Sequence, residues 1–238
     1  MKQFLLGIVT GAVLMALLQR LRAMPISQEQ IDLYYKQRAS GYAESDDAFS
    51  LGGYKPRLEL RKQAIALLDL TPGAKVLDIA CGTGANFPYL LQKIGPTGEI
   101  IAVDHNPVML LEAQRQIDEH GWENIFLIQQ DAAKVETGEH YDAVICVLGM
   151  SVIPDYESAM RHAFAHVRQG GQLVIADLCY NPHWYMQPFN WLADLFVIQE
   201  AARRPWELLQ AWGQDFERHE LLLGYMYVAT GRKGRNIP

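Results

Sequence analysis

Between Thr71 and Leu178 the chain changes period repeatedly, from short apolar runs to longer stretches in which apolar residues recur every three or four positions. The short runs predict strands at Val76 to Ala80, Glu99 to Val103, Ile125 to Gln129, Tyr141 to Leu148 and Gln172 to Leu178. The stretches between them predict helices at Asn86 to Ile94, Val108 to Glu119 and Tyr156 to Arg168. Strands apolar at nearly every residue are buried on both faces, and alternating helices supply the cover, so the pattern predicts a doubly wound α/β fold with a mostly parallel sheet. Upstream, Leu58, Leu60, Ala64, Leu67 and Leu68 give Arg57 to Leu70 helical spacing, which Thr71-Pro72-Gly73 should end. Downstream, a helix-rich stretch from Pro182 to Trp212 leads to two β-like runs, Phe216 to Leu223 and Tyr225 to Thr230, expected to close the sheet as an antiparallel hairpin.

The first residues follow neither period. Phe4 to Leu18 is an uncharged apolar run bounded by Lys2 and by Arg20 and Arg22. As a helix it would be about 22 Å long at 1.5 Å per residue, short of a comfortable span unless the flanking arginines snorkel to the headgroups. We expect residues 1–24 to form a hydrophobic membrane-anchor helix; a cleaved signal peptide and a helix buried on its own domain are the alternatives. Positive charge is denser after the run (Arg20, Arg22, Lys36, Arg38), which would leave the body of the protein on the cytoplasmic side. Ile26 to Ser50 is polar and tyrosine-rich and reads as a helix running into a loop, a candidate lid. The expected division is therefore an anchor at 1–24, N-terminal helices at 25–70 and a catalytic domain at 71–238.

Composition narrows the partners. Half of the 238 residues are hydrophobic, a fifth are charged, and Gly and Pro total 30, which excludes disordered and collagen-like classes. Three cysteines, Cys81, Cys146 and Cys179, make neither a disulfide framework nor a CxxC zinc site. The net charge is −6, and the two basic ends, 1–24 and 232–238, carry +3 each, so the stretch between them holds −12. An acidic body disfavours nucleic acid as a partner, whereas basic ends suit an anionic membrane surface.

The chemistry gathers at the predicted strand ends. Val76-Leu77-Asp78-Ile79-Ala80-Cys81-Gly82-Thr83-Gly84 places two glycines in a strand-to-helix turn, where a backbone can approach a ligand closely. The third glycine of a dinucleotide fingerprint is replaced by Phe87, and Asp78 would oppose a pyrophosphate, so an NAD-linked oxidoreductase is the weaker reading. Asp104 ends the second strand, placed for the hydroxyls of a ribose, and Asp131 follows the third. Three carboxylates at successive strand ends suit a positively charged nucleoside without phosphate. Cys81 and Cys146 read as small packing residues, and the i,i+4 pair His162 and His166 lacks a third ligand, so no metal is expected.

On these residues, Ala74 to Leu178 resembles the class I S-adenosylmethionine-dependent methyltransferases, whose fold is Rossmann-like. The resemblance implies S-adenosylmethionine as cofactor. It implies that Asp78, Cys81, Gly82 and Gly84 line its methionine part, Asp104 its ribose, and His105, Asn106 and Met109 the adenine edge. Asp131 and Ala132 would meet the adenine amino group, and Val147 to Met150, with Gly149 among them, would face the methyl.

More distantly, Val152-Ile153-Pro154-Asp155 is similar to a motif of bacterial phosphatidylethanolamine and betaine-lipid N-methyltransferases. The general motif order and the tyrosine-rich entry are similar to the ubiquinone/menaquinone C-methyltransferases. Both imply a small lipophilic, membrane-located acceptor. The amino headgroup of a phospholipid-like lipid is the first expectation and a quinone precursor the alternative; a non-catalytic, membrane-tethered binding module is the rival from outside enzymology. Tyr180, His183 and Tyr185 follow the fifth predicted strand and could remove or relay the acceptor's proton. Trp184, Tyr185 and Trp191 could face a methylated ammonium, or serve as a docking face or an interfacial belt.

Overall fold

The computed structural model describes residues 27–35, 53–180 and 200–234. Seven strands, β1 (Lys75–Ile79), β2 (Glu99–Asp104), β3 (Ile125–Gln129), β4 (Tyr141–Val147), β5 (Val167–Leu178), β6 (Gln214–Leu221) and β7 (Met226–Arg232), form one sheet. Its order is β3-β2-β1-β4-β5-β7-β6. The first five strands are parallel, and β7 runs antiparallel to both β5 and β6. Among the described residues the helices α1 (Pro56–Ala66), α2 (Phe87–Ile94), α3 (Pro107–His120), α4 (Tyr156–His166) and α5 (Pro205–Trp212) pack around it, and residues 28–35 are also helical.

The continuous apolar runs are explained by what each face meets. Successive strand residues point to opposite faces, so Val76, Ile145 and Val174 join a core with Leu60 and Ala64 of α1, Leu90 of α2 and Ala113 of α3. Leu77, Cys146 and Ile175 join the opposite core with Met160 of α4 and Leu209 of α5. The doubly wound α/β arrangement and the antiparallel hairpin at its end are thus as the sequence predicts.

Two boundaries differ by more than two residues, each for a tertiary reason. Helix α1 stops at Ala66 rather than Leu70 because distant side chains take its last carbonyls: Lys93 Nζ donates to Ala66 O (3.1 Å) and Leu68 O (2.6 Å), and Gln172 Nε2 donates to Leu67 O (3.0 Å). Strand β5 begins at Val167, ahead of Gly170-Gly171, because Val167 already pairs with Tyr141; the expected turn is an irregularity in that ladder. The anchor expected at 1–24 lies outside the described residues. Among the described residues no helix is long and apolar enough to cross a membrane.

Candidate functional site

The chain moves outward from β1 to β2 and β3, then crosses back to set β4 on the other side of β1. Ligands of open α/β sheets bind outside the carboxyl ends of the strands at such a switch point. A cavity of about 860 Å³, its open mouth included, lies there. It is bordered by the ends of β1, β2 and β4, the residues just after β3, Arg61 of α1, and Gln28, Ile31, Asp32 and Tyr35 of the 28–35 helix.

The backbone is forced into shape at both ends of the switch. Ala80 and Leu148, each one residue past its strand, have φ of +54° and +60°, and both line the cavity. Such conformations cost roughly 1 kcal/mol or more each in a non-glycine residue. Leu148 is held by its N–H, which donates to Ala176 O at 2.7 Å. Beside them Gly149 is obligatory, since a Cβ there would stand 2.6 Å from Cys146 Sγ and 2.7 Å from the Cβ of Ala80.

Of the residues expected around a nucleoside, Cys81, Gly82, Asp104, His105, Asn106, Met109, Asp131, Ala132, Val147 and Gly149 line the cavity. Asp104 accepts the Gly82 N–H and the Asn106 N–H, both at 2.8 Å, which ties the glycine turn to the end of β2. Burial pushes its carboxyl up, while those two donors pull it back. Asn106 caps α3 by accepting from the N–H groups of Val108 (2.9 Å) and Met109 (3.3 Å). Asp131 accepts the Ala133 N–H at 2.9 Å, so it caps a short 3-10 turn and borders the cavity at once.

Two of the residues expected at the methionine part stand behind the cavity wall. Asp78 does not line the cavity: it is fully buried, and both of its oxygens accept from Asn86 Nδ2 at 2.9 and 3.1 Å. Burial raises its pKa to about 7, against the pull of Asn86 and of the Arg61 guanidinium. Gly84 also lies behind the wall. Its φ is +86° and a Cβ would fall 2.3 Å from the ring of Phe87, the residue standing where a third glycine would be.

On the acceptor side, Tyr180 is described but does not line the cavity; its N–H donates to Ala201 O at 2.8 Å. His183 and Tyr185, like Trp184 and Trp191, lie outside the described residues. The Val152-Ile153-Pro154-Asp155 run divides in two. Val152 and Ile153 line the cavity as apolar wall, whereas Asp155 caps α4 by accepting the Ser158 N–H at 3.0 Å. Behind this loop Arg203 donates to the carbonyls of Met150 and Ile153, and Asp177, fully buried on β5, accepts the Ser151 N–H (2.8 Å) and Oγ–H (2.7 Å).

Burial pushes the thiols of Cys81 and Cys146 well up, which suits packing rather than nucleophilic chemistry. His162 is bonded to Val135 O and His166 to His162 O, and among the described residues no group of metal-ligating side chains is assembled. Sequence reasoning missed Arg61, Asn86 and Asp32. Asp32 approaches His105 at 3.7 Å and links the 28–35 helix to the turn after β2.

The sheet order and the acid-rimmed glycine turn define the class I S-adenosylmethionine-dependent methyltransferase fold. Comparison with known proteins agrees. The model of the ubiE/COQ5 methyltransferase family matches residues 24–195, and the chain belongs to that family. A demethylmenaquinone methyltransferase of Listeria welshimeri is 25% identical over 151 residues, 63% of each chain. One of Bacillus cytotoxicus is 29% identical over 115 residues, 48% of each. The chain thus spans less than two thirds of the length of these relatives. Among solved structures, a SAM-dependent methyltransferase from Aquifex aeolicus superposes with a TM-score of 0.61 at 18% identity, covering 80% of this chain and 96% of its own. An O-methyltransferase family protein from Burkholderia thailandensis gives 0.68 at 15%, covering 90% and 65%. These likenesses establish the fold. The phospholipid headgroup, our first expectation for the acceptor, gains no support from the comparisons, whereas the family model and the names of the sequence relatives favour the quinone alternative.

Proposed function

We propose that this protein transfers a methyl group from S-adenosylmethionine to a ring carbon of a quinone-type, lipophilic acceptor. The family match carries the reading, because residues 24–195 include every element that borders the cavity. The cavity suits the cofactor. Its acids, Asp104 and Asp131, stand at the ends of β2 and β3, where a nucleoside's hydroxyls and amino group can be held without phosphate, and Gly82 presents open space where a side chain would project.

S-adenosylmethionine, when bound, supplies an electrophilic methyl on a sulfonium. The chain's part is to align donor and acceptor and to exclude water, which for a displacement of this kind supplies most of the catalysis. Ile31, Val147, Leu148, Val152 and Ile153 offer an apolar wall for that purpose. A ring carbon that gains a methyl must lose its hydrogen as a proton. Of the residues following β5, we assign His183 and Tyr185 to receive it, with Tyr180, which stands off the cavity wall, as a relay. A lipophilic acceptor also fits the anchor read at 1–24, which would keep the domain on the cytoplasmic face of a membrane.

Cells making the protein and fed methionine labelled in its methyl group should show label in the quinone ring of their lipid extract. Label confined to phospholipid headgroups would overturn the acceptor, and failure of the purified protein to bind S-adenosylhomocysteine would overturn the methyltransferase reading itself.

A further inference from the structure

The loop that joins β4 to α4 is held from outside by one side chain. Arg203, whose side chain is 9% exposed, commits four of the five N–H groups of its guanidinium. Nε–H donates to Glu200 Oε2 at 2.8 Å, Nη1 to the carbonyls of Met150 (3.0 Å) and Ile153, and Nη2 to that of Pro154 at 3.4 Å. The same guanidinium lies 5.0 Å from the ring centroid of Tyr156, the first residue of α4. Beside it the Glu200 N–H donates to Ser151 O at 2.8 Å. Four of the five carbonyls from Met150 to Pro154 therefore accept from the short stretch Glu200 to Arg203.

The loop consists of turns, and no ladder or helix fixes its shape. Its N–H groups are taken close by, Val152 and Ile153 donating to Gly149 O at 3.0 and 3.1 Å and Ser151 to Asp177, which leaves its carbonyls to partners outside the loop. Two of its residues, Val152 and Ile153, line the cavity. A guanidinium suits the task because its rigid fork meets the carbonyls of Met150 and Ile153 at once and so fixes their separation, whereas an ammonium is a point charge on a flexible stem. Stability alone is a weak reason for the arrangement, since an ion pair taken out of water gains little over an apolar side chain of the same volume. The junction also has a particular place in the chain. Tyr180, just past β5, donates its N–H to Ala201 O at 2.8 Å, so the stretch containing His183 and Tyr185 begins and ends beside this loop.

We infer that Arg203 is a positioning residue for the acceptor: through the carbonyls of Met150, Ile153 and Pro154 it sets Val152 and Ile153 as the piece of apolar wall that receives a flat, lipophilic ring. The inference rests on the quinone-type reading above and deepens it, by naming a residue that determines affinity for the acceptor without touching it. Asp104 and Gly82, on the cofactor side, are bonded to each other and not to Arg203. Affinity for the cofactor is therefore insulated from a change at position 203.

Titration calorimetry on the full chain measures two affinities: that for S-adenosylhomocysteine, and that of the S-adenosylhomocysteine-loaded protein for a naphthoquinone with a short prenyl tail. Arg203→Met keeps a long stem and removes every donor. It should weaken quinone binding by about 10-fold or more and S-adenosylhomocysteine binding by less than about threefold. Arg203→Lys should recover part of the quinone affinity. Ile153→Ala should weaken the quinone likewise, and adding Arg203→Met to it should change little further, because both act on the same piece of wall. Equal weakening of both ligands, no change in either, or full additivity of the two substitutions overturns the inference and leaves the quinone-type reading standing. Should Arg203→Met fail to fold, Arg203→Lys and Ile153→Ala decide by the same ratio of the two affinities. Wild-type protein that binds S-adenosylhomocysteine but no quinone removes the acceptor reading and this inference with it.

Discussion

Asp177 offers a direct measure of what the loop after β4 costs to build. The carboxylate accepts the N–H and Oγ–H of Ser151 and the N–H of Leu178 at 2.7 to 2.8 Å, and it is 1% exposed. Burial outweighs these donors and raises its pKa from 3.8 to about 6. A carboxyl whose pKa is raised in the folded state binds more protons folded than unfolded, so its contribution to stability is full below about pH 4 and is lost as the pH climbs through 6. At 1.36 kcal/mol per pK unit, the total loss is about 3 kcal/mol, of which about 2 kcal/mol falls between pH 4.5 and 7.5. Asp177→Asn keeps the shape and cannot ionise. Urea denaturation of both proteins at pH 4.5, 5.5, 6.5 and 7.5 should show wild type losing about 2 kcal/mol relative to the variant across the series. Every other titrating group cancels in that difference unless it touches position 177. Parallel stability curves would refute the reasoning, and a difference growing in favour of wild type with rising pH would mean that the donors outweigh burial.

Gly149→Ala should cost about 1 to 3 kcal/mol by overpacking against Cys146 and Ala80; urea unfolding checks this, and S-adenosylhomocysteine affinity should fall with it because the residue borders the cavity. Full-length protein should remain with membranes after a high-salt wash, since apolar burial is not screened, whereas a chain beginning at Ile26 should be released and still bind S-adenosylhomocysteine.

The sequence was most legible where the signal is local. Ile125 to Gln129 is a strand at both predicted ends because its boundaries are set by its own apolar run and the polar residues around it. The end of α1 was not legible, because Lys93 and Gln172, far away in the chain, intercept its carbonyls. Asp104 stands at the end of its strand, as its position implied. Asp78 occupies an equally suggestive position, yet it is fully buried and both of its oxygens accept from an asparagine eight residues later. A signal for Arg61 did exist, as a charged residue on the same buried stripe as Leu60, Ala64 and Ile65, but its partner Asn86, 25 residues on, could not be read from spacing. Val152 and Ile153 were quoted for a family likeness; their role as apolar wall follows from the loop that Arg203 and Asp177 hold in place.

The placement of β7 governs the order in which this molecule can be finished. It follows β6 in the chain but lies between β6 and β5, so both neighbours are synthesised before the strand that joins them. Until Met226 to Arg232 emerge, β5 presents an unpaired edge carrying Leu173, Val174 and Ile175, and β6 has no sheet to join. Exposed edges of that kind invite pairing with other chains. A frameshift or early stop ahead of Met226 would therefore yield an aggregation-prone chain that retains almost every residue bordering the ligand cavity, and selection on the last strand would act through the fate of nascent chains rather than through chemistry.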